Sequence, residues 1–546
     1  MTASDAVLNG AALAVVGSTS DVTLNQGTVW NMTGSSNVTN LTLDHSSILF
    51  GPPAGDITES TGYHTLTAVN FASAAGLLRL NTYLGGDASP SDVLVMDGGS
   101  ATGNATLQVL RTGGLGALTS GDGIRVVQSV NGGTTASGMF ALAAPVLAGP
   151  YEYFLYRGGN EASVQNDWFL RNTLNCTAEG APVPPCPPHT PPEPPAPPAP
   201  PGPPAPPAPP EPPVPFFRPE VSLYAALPAL ALRYGWATLD NLHERVGDEQ
   251  TLAGRDDLWQ RTTFNGAWVR LIGEDGQVDG AKDGIYGQGP HYDYDQVTLQ
   301  AGVDVYANEH DNNQRDFAGV YLADGRIASD VNTWNGTDAG RDVVKAQSLG
   351  LYWTHYWQEG AYLDTVFQGS WYEASGKSVD AEALKYANFG WAASLEGGYP
   401  FHFDTQVLEP QLQVVYQNIN DSEGADAAAT VRFNNMESLA ARAGLRWANT
   451  WALEPSADGT PRLFVGWLRL NLWKEFKGQP QTAFSSESGF IPFDSSIKGS
   501  WWQLNGGTTW QLSRRTSFYA NLGYQKGFGS RGFHAWDGEV GLRWNW

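Results

Sequence analysis

Residues Trp536 to Trp546, the stretch WDGEVGLRWNW that ends the chain, decide the fold. At period two, one face takes Trp536, Gly538, Val540, Leu542, Trp544 and Trp546. The other takes Asp537, Glu539, Gly541, Arg543 and Asn545. An apolar strand left at a sheet edge in water invites aggregation. A transmembrane β-barrel uses both faces, one toward lipid and one toward a polar lumen, and its closing strand has no free edge. The alternative is a buried strand of a soluble sandwich.

Composition agrees with the barrel. Mean hydropathy is −0.29, and no run reaches the ~20 apolar residues of a spanning helix, whereas a barrel strand needs only ~9–11 with every second one apolar. Of the 20 Trp, only Trp30 and Trp168 precede Trp236. Barrels gather aromatics in girdles at the two interfaces, so this step marks a domain boundary. The net charge of −24 and pI near 4.6 argue against nucleic-acid binding, which needs a basic surface. Cys176 and Cys186 both lie beside the start of a Pro-rich run. A disulfide between them is sterically possible and remains open, and with a single nearby His189 they fall short of a zinc site. The N-terminal residues lack a secretory signal, with Asp5 ahead of a short apolar run and no Lys or Arg before Arg79. The expectation is that the true start lies upstream.

Residues 1–175 are rich in Gly, Thr, Ser, Asn and Val, with short β runs at Asp21–Leu24, Leu41–Leu43, Leu66–Val69, Leu77–Leu80, Val93–Met96, Thr106–Leu110 and Ile124–Gln128. Asp97-Gly98-Gly99 and Asn131-Gly132-Gly133 punctuate them as turns. The pattern suits a parallel β-helix, with a β-sandwich as the alternative. Residues 182–215 are dominated by proline, which fixes φ and cannot donate, so a polyproline II spacer is expected, reaching on the order of 100 Å. A helix ending at Gly247 follows, with Leu232, Trp236, Leu239, Leu242 and Val246 as one apolar stripe. From Leu258 onward twelve alternating segments follow, near 258–273, 292–306, 316–330, 341–356, 361–375, 385–397, 403–419, 431–449, 461–476, 498–512, 516–528 and 536–546. An even number suits a closed up-and-down barrel.

Three landmarks together make the chain resemble the monomeric autotransporter family of Gram-negative bacteria (type V secretion), in its AIDA and pertactin-like branch. They are Arg218–Gly235 followed by Thr238–Gly247, the signal Trp268-Val-Arg270, and the aromatic-ended strand Gly541–Trp546. Residues 62–172 further resemble the pertactin-like autochaperone module. The resemblance implies an all-β chain in four parts. A right-handed parallel β-helix passenger end spans 1–175, with an autochaperone-like cap at 62–172. A Pro-rich linker spans 176–216 and holds the cap off the membrane. A pore helix spans 217–250, and a twelve-stranded translocator barrel spans 251–546.

On that resemblance the function expected is self-transport of the passenger to the cell surface and its display there, as an adhesin-type protein. The alternatives are translocation of a secreted enzyme whose catalytic part lies upstream, or a simple channel with a soluble appendage. The barrel is expected in the outer membrane and the passenger outside the cell. The partners implied are outer-membrane lipid and lipopolysaccharide, a host surface ligand, and the barrel-assembly machinery, which would read Val540, Leu542, Trp544 and Trp546. A monomer without cofactor or metal is implied, and no nucleic-acid partner. Some family members cut their pore helix by Asn cyclisation. The matching pair here is Asp240-Asn241, where Asp stands in place of the Asn nucleophile, so both are read as ordinary polar helix residues and no cleavage is expected. No His-Glu-x-x-His or Gly-x-Ser-x-Gly signature occurs in 1–175.

Overall fold

The computed structural model describes residues 1–15, 17–174, 214–248, 265–280, 284–287, 289–310, 314–380, 382–455, 462–513, 515–528 and 532–546. They form two compact units. The first comprises Met1–Arg218 with Ala427–Thr430 and Phe484–Ile491, the second Pro219–Asp426, Val431–Ala483 and Pro492–Trp546.

In the first unit short strands stack in parallel. Thr2–Ser4 lies beside Asp21–Asn25, which lies beside Ser36–Asp44, then Thr65–Tyr83, Val93–Asp97 and Ile124–Val130. A second stack runs from Val7–Asn9 through Val29–Met32, Ser47–Phe50 and Thr65–Tyr83 to Ser100–Gly113. Parallel pairing at every step excludes the antiparallel sandwich and makes this a β-helix. Each coil points apolar side chains inward, and Leu24, Leu43, Ile48, Leu66, Phe71, Leu78, Leu94 and Leu107 are fully buried in one core. Asn side chains stack between coils outside it, as in Asn31 on Asn9 at 2.8 Å and Asn70 on Asn40 at 2.8 Å. The parallel order ends at Ile124–Val130, which pairs antiparallel with Trp168–Arg171; Tyr151–Arg157 and Val146–Ala148 complete the cap.

Residues 175–213, with Cys176 and Cys186, lie outside the described residues. The residues on either side pair with each other, Thr173 opposite Pro215 and Leu174 opposite Val214. Phe216 N then donates to Asn172 O (2.6 Å) and Arg218 N to Pro150 O (3.0 Å). Both flanks of the segment are thus held on the first unit.

The second unit is a closed barrel of twelve antiparallel strands. They are β1 (Gly266–Val278), β2 (His291–Glu309), β3 (Arg315–Asn332), β4 (Asp338–Tyr356), β5 (Tyr362–Ser378), β6 (Ala383–Gly398), β7 (Gln406–Ile419), β8 (Glu437–Leu453), β9 (Arg462–Glu475), β10 (Gly499–Gln511), β11 (Thr516–Gly527) and β12 (Phe533–Asn545). Neighbours in sequence pair throughout, β6 with β7 included. β12 closes on β1, from Asn545 opposite Gly266 to Phe533 opposite Val278. The segment expected at 431–449 divides: Asn435 takes φ +55°, Thr430–Asn434 is a separate strand, and β8 starts at Glu437.

The barrel is apolar outside and polar inside. On β12 Trp536, Val540, Leu542 and Trp544 are exposed, as is Trp546 just after it, while Glu539, Arg543 and Asn545 are buried. Eight residues separate Trp536 from Trp544. That is about 27 Å along a strand and about 20 Å across a membrane at barrel tilt, close to the ~25 Å apolar band of such barrels. Trp371, Phe389, Trp391, Tyr524 and Trp536 form one girdle and Trp353, Trp447, Trp451, Trp510 and Trp544 the other, with contacts such as Trp371–Phe389 at 5.3 Å and Tyr524–Trp536 at 4.9 Å. No described helix is long and apolar enough to cross a membrane; the strands cross it instead.

A buried carboxylate ties the β-helix coils together. Asp92 has no exposed surface and accepts from His64 N (2.7 Å), Asn81 N (2.8 Å) and Asn81 Nδ2 (2.7 Å). In Asp92→Asn an amide NH₂ must face one of these N–H donors and leave it unsatisfied, a cost of about 1–3 kcal/mol. The first unit should then be cut at lower denaturant concentration in a proteolysis titration, while the gel shift of the barrel on boiling stays unchanged.

Candidate functional site

Two helices occupy the barrel lumen in place of the single one expected to end at Gly247. They are α1 (Pro219–Leu239) and α2 (Leu242–Val246). α1 is apolar nearly all round and buried on nearly every side, so no single stripe distinguishes it. Leu232 and Leu239 on α1, and Leu242 and Val246 on α2, are buried, whereas Trp236 is partly exposed, donates to Ser438 Oγ (3.1 Å) and meets Trp501 at 5.5 Å. Leu239, Leu242 and Val246 pack into a lining of Trp268, Phe317, Tyr321, Tyr352, Tyr356 and Tyr362.

The wall supplies what the helix backbone lacks. Pro228 has no N–H for the carbonyl of Tyr224 four residues back, and Thr482 Oγ1 donates to that oxygen at 3.4 Å. Gly235 lets the wall approach closely, because a Cβ there would sit 1.9 Å from Gln417 Oε1. At the end of α1, Thr238 O accepts from Arg270 Nη2 (3.2 Å) and Gln300 Nε2 (3.1 Å), and Asp240 O from Gln413 Nε2 (2.6 Å).

Asp240 and Asn241 are not residues of a continuous helix. Asp240 adopts φ +44°, in the left-handed region that Asp and Asn tolerate better than most. Asn241 caps α2, its side chain accepting from Glu244 N at 3.2 Å. Its Nδ2 donates to Asp240 Oδ1 (2.8 Å) and to Glu244 Oε2. Gly247, at φ +72°, ends α2 with its N–H on His243 O at 2.8 Å.

Around this break Asp240, His243, Glu244 and Arg245 each meet an opposite charge. Arg270 of β1 reaches Asp240 and Glu539 of β12, both at 3.0 Å. Arg469 of β9 pairs with Glu244. Arg245 pairs with Asp364 of β5 at 2.6 Å, and His243 lies between Glu409 of β7 (2.9 Å) and Asp248 (2.8 Å). Arg446 of β8 reaches Asp248 at 2.6 Å, and Arg442 reaches Glu396 of β6 at 3.0 Å. Beside this layer Trp268 donates to Tyr352 Oη (3.2 Å), and its indole covers Gly302 so closely that a Cβ there would lie 2.4 Å away.

The carboxylates of Asp240, Glu244 and Glu539 lie within 4.8 Å of one another, the spacing a metal ion would need. Arg270 and Arg469 already answer their charge. A cavity of about 130 Å³ adjoins them, bordered by Trp236, Asp240, Glu244, Trp501, Asp537 and Glu539.

Of the residues singled out from the sequence, the fold thus brings together Trp268, Arg270, Asp240 and Asn241 with the helix residues. Val540, Leu542, Trp544 and Trp546 stand apart on the outer face. Sequence reasoning placed Glu539 on the lumen face without giving it a partner, and missed Asp364, Glu396, Glu409, Arg446 and Arg469. Their signal was position on the polar face of alternating strands, as in Glu409-x-Gln411-x-Gln413.

Residues 36–155 match the family model Autochaperone Domain Type 1, and residues 267–523 the Autotransporter beta-domain. The protein YdeU of Escherichia coli (strain K12) is 25% identical over 514 residues, covering 87% of this chain and 97% of that protein. The autotransporter adhesin AIDA-I of Escherichia coli is 24% identical over 506 residues, 89% of this chain but 34% of its own length. The crystal structure of the AIDA-I transport unit aligns with 60% of this chain and 99% of its own at 19% identity and a TM-score of 0.46.

Two outcomes follow from the lumen. Arg270→Ala should lower barrel stability by about 3 kcal/mol, the low end for breaking a buried pair because Asp240 borders the cavity. Adding Glu539→Gln should restore part of it, as read from the denaturant midpoint of the gel shift on boiling. Both Nδ2 hydrogens of Asn241 are engaged by carboxylates, so the chain should stay joined at Asp240-Asn241. A new N-terminus at Asn241 or Leu242 in purified outer membranes would contradict this.

Proposed function

We infer, since the chain belongs to the autotransporter family, that its barrel carries the N-terminal part of its own chain across the outer membrane and displays it on the cell surface as an adhesin-type protein. An autotransporter β-domain is an outer-membrane barrel, and the translocator is present here with its autochaperone domain. The observation that carries the transport reading is the matched seat in the lumen. The segment joining the β-helix to the barrel is held inside it by Arg270–Asp240, Arg469–Glu244 and Arg245–Asp364. A chain that has passed through the pore and stopped would leave such a segment there, and a helix meets its own backbone hydrogen bonds while it fills the opening.

Folding of the β-helix outside would bias movement outward without a nucleotide, with the cap formed by Ile124–Val130, Tyr151–Arg157 and Trp168–Arg171 as the first part to fold. The adhesin reading is supported by the family likeness to AIDA-I over 89% of this chain. A β-helix by itself is a scaffold and does not name its ligand. A non-enzymatic passenger is the reading adopted; the alternative is a secreted enzyme whose catalytic part lies upstream of residue 1.

The test uses intact cells producing the whole chain behind a secretory signal. Antibody against residues 1–174 should label unbroken cells, and labelled cells should adhere to host surfaces better than cells producing the barrel alone. A barrel that inserts and shifts on boiling, with residues 1–174 reached only after lysis, would overturn the transport reading. Surface display without any gain in adherence would overturn the adhesin reading alone.

A further inference from the structure

α1 does not fill the lumen evenly. It lies against β2 to β7. The cavity of about 130 Å³ lies mainly along β1 and β8 to β12, bordered by the Asp240–Glu539 layer and, at the rim, by Val278, Ser500 and Phe533. Three indoles line it. Trp236 comes from α1, while Trp473 and Trp501 come from the lumen face of β9 and β10. Trp501 meets Trp473 at 5.6 Å with the ring planes 4° apart, Trp236 at 5.5 Å and Phe533 at 6.4 Å. Barrels place most of their indoles at the lipid interfaces. A cluster of them beside a cavity in a polar lumen is the wall of a binding site, with a few polar groups to orient what enters.

Those polar groups are of two kinds. Glu274 of β1 stands directly opposite Asp537 of β12, both on the lumen face. Like charges opposed in this way repel, and among the described residues no Lys, Arg or His nitrogen lies within 4.0 Å of either carboxylate. Asp537 accepts from the amides of Gln503 (3.2 Å) and Asn505 (2.9 Å), and Glu274 from Tyr294 Oη. The neighbouring cations are engaged elsewhere. Arg270 serves Asp240 and Glu539, Arg469 serves Glu244, and Arg442 serves Glu396. Lys498 donates to Gln479 at 2.6 Å, and Arg233 stands over the Phe533 ring at 4.4 Å and donates to Tyr294 Oη at 3.3 Å. A donor is left over as well. Arg469 is 1% exposed, yet its Nε and Nη1 have no protein acceptor, and a buried group of that kind calls for a partner. A purely cationic ligand would answer Glu274 and Asp537 and leave Arg469 bare; an anion would do the reverse.

We propose that the cavity binds a small zwitterion, a quaternary ammonium joined to a carboxylate. The methylated cation lies against Trp473 and Trp501 and faces Glu274 and Asp537, and the carboxylate accepts from Arg469 Nη1. Methyl groups suit the indole faces, which attract a desolvated cation. A guanidinium N–H to a carboxylate is a strong, charge-assisted bond. Size agrees, because a cavity of ~150 Å³ takes benzene, so about 130 Å³ admits a molecule of that scale and not a sugar chain or a peptide. The ligand brings no net charge, so it leaves the balance of Arg270, Arg469 and their partners as it is.

The test uses the whole chain in maltoside micelles, with binding followed by saturation-transfer NMR. The probes are glycine betaine, tetramethylammonium and acetate, the last two standing for the separate ends of the first. The wild type should bind betaine saturably, about tenfold or more tightly than either half, as expected when a buried charge gains its partner. Asp537→Asn combined with Glu274→Gln should weaken betaine by about tenfold or more, and Trp501→Leu by a few-fold, the scale of a lost cation–π contact. Lys474→Gln, on the outer face of β9, should change nothing. The gel shift on boiling reports whether each variant is folded. No saturable betaine binding by the folded wild type would overturn the proposal, leaving a cavity that holds water alone. Tetramethylammonium or acetate binding as tightly as betaine would also overturn it, and so would betaine affinity that survives both Trp501→Leu and the carboxylate pair of substitutions.

Discussion

The seam between β1 and β12 is the constraint on which the rest depends. Hydrocarbon offers no partner to a free N–H or C=O, so a spanning sheet must close on itself. Here the first and last strands pair over their whole length, Gly266 with Asn545 through Val278 with Phe533. Closure at that register fixes which side chains of β12 face in. With Arg543 and Glu539 inside, Leu542, Val540 and Trp544 must be outside; a slip by one residue would exchange them. The aromatic-ended terminus is thus a lipid-facing strand whose other face contributes to the lumen.

Closure creates a second demand, because a twelve-stranded wall with a polar interior encloses more space than its own side chains fill. α1 and α2 fill much of it. Their charges are not stabilising in the simple sense, since ion pairs removed from water often only break even against apolar packing. Their effect is to fix position. Arg270, Arg469 and Asp364 come from different strands and meet three different residues within six positions of the helices, Asp240, Glu244 and Arg245. Sliding or turning the segment by one residue would break several pairs together and strand charges in a buried space.

The parts legible in the sequence were those with a strict period. Alternation placed twelve barrel strands and the inward and outward faces of β12, and short strands between small-residue turns located most of the coils. What escaped was set by contacts that have no local signature. The break at Asp240 was hidden because Asp-Asn within an apolar helix looks like two exposed polar residues, and only the approach of Arg270 and Gln413 makes a left-handed Asp acceptable there. The charged layer was hidden because which Arg meets which Glu depends on barrel register, not on spacing along the chain.

The inner and outer faces differ in what their charges can do. In the lumen Arg270, Arg469 and Arg245 meet Asp240, Glu244 and Asp364, so a shift of the helices breaks each pair where little water is at hand to replace it. On the outer face of β2 to β5, Arg326, Arg341, Lys345 and Lys377 are interspersed with Asp293, Asp295, Asp324, Asp330 and Glu373. Exposed pairs of that kind are screened and contribute little each. The lumen pairs therefore fix position, while the outer charges only keep the rim beyond Trp371 polar.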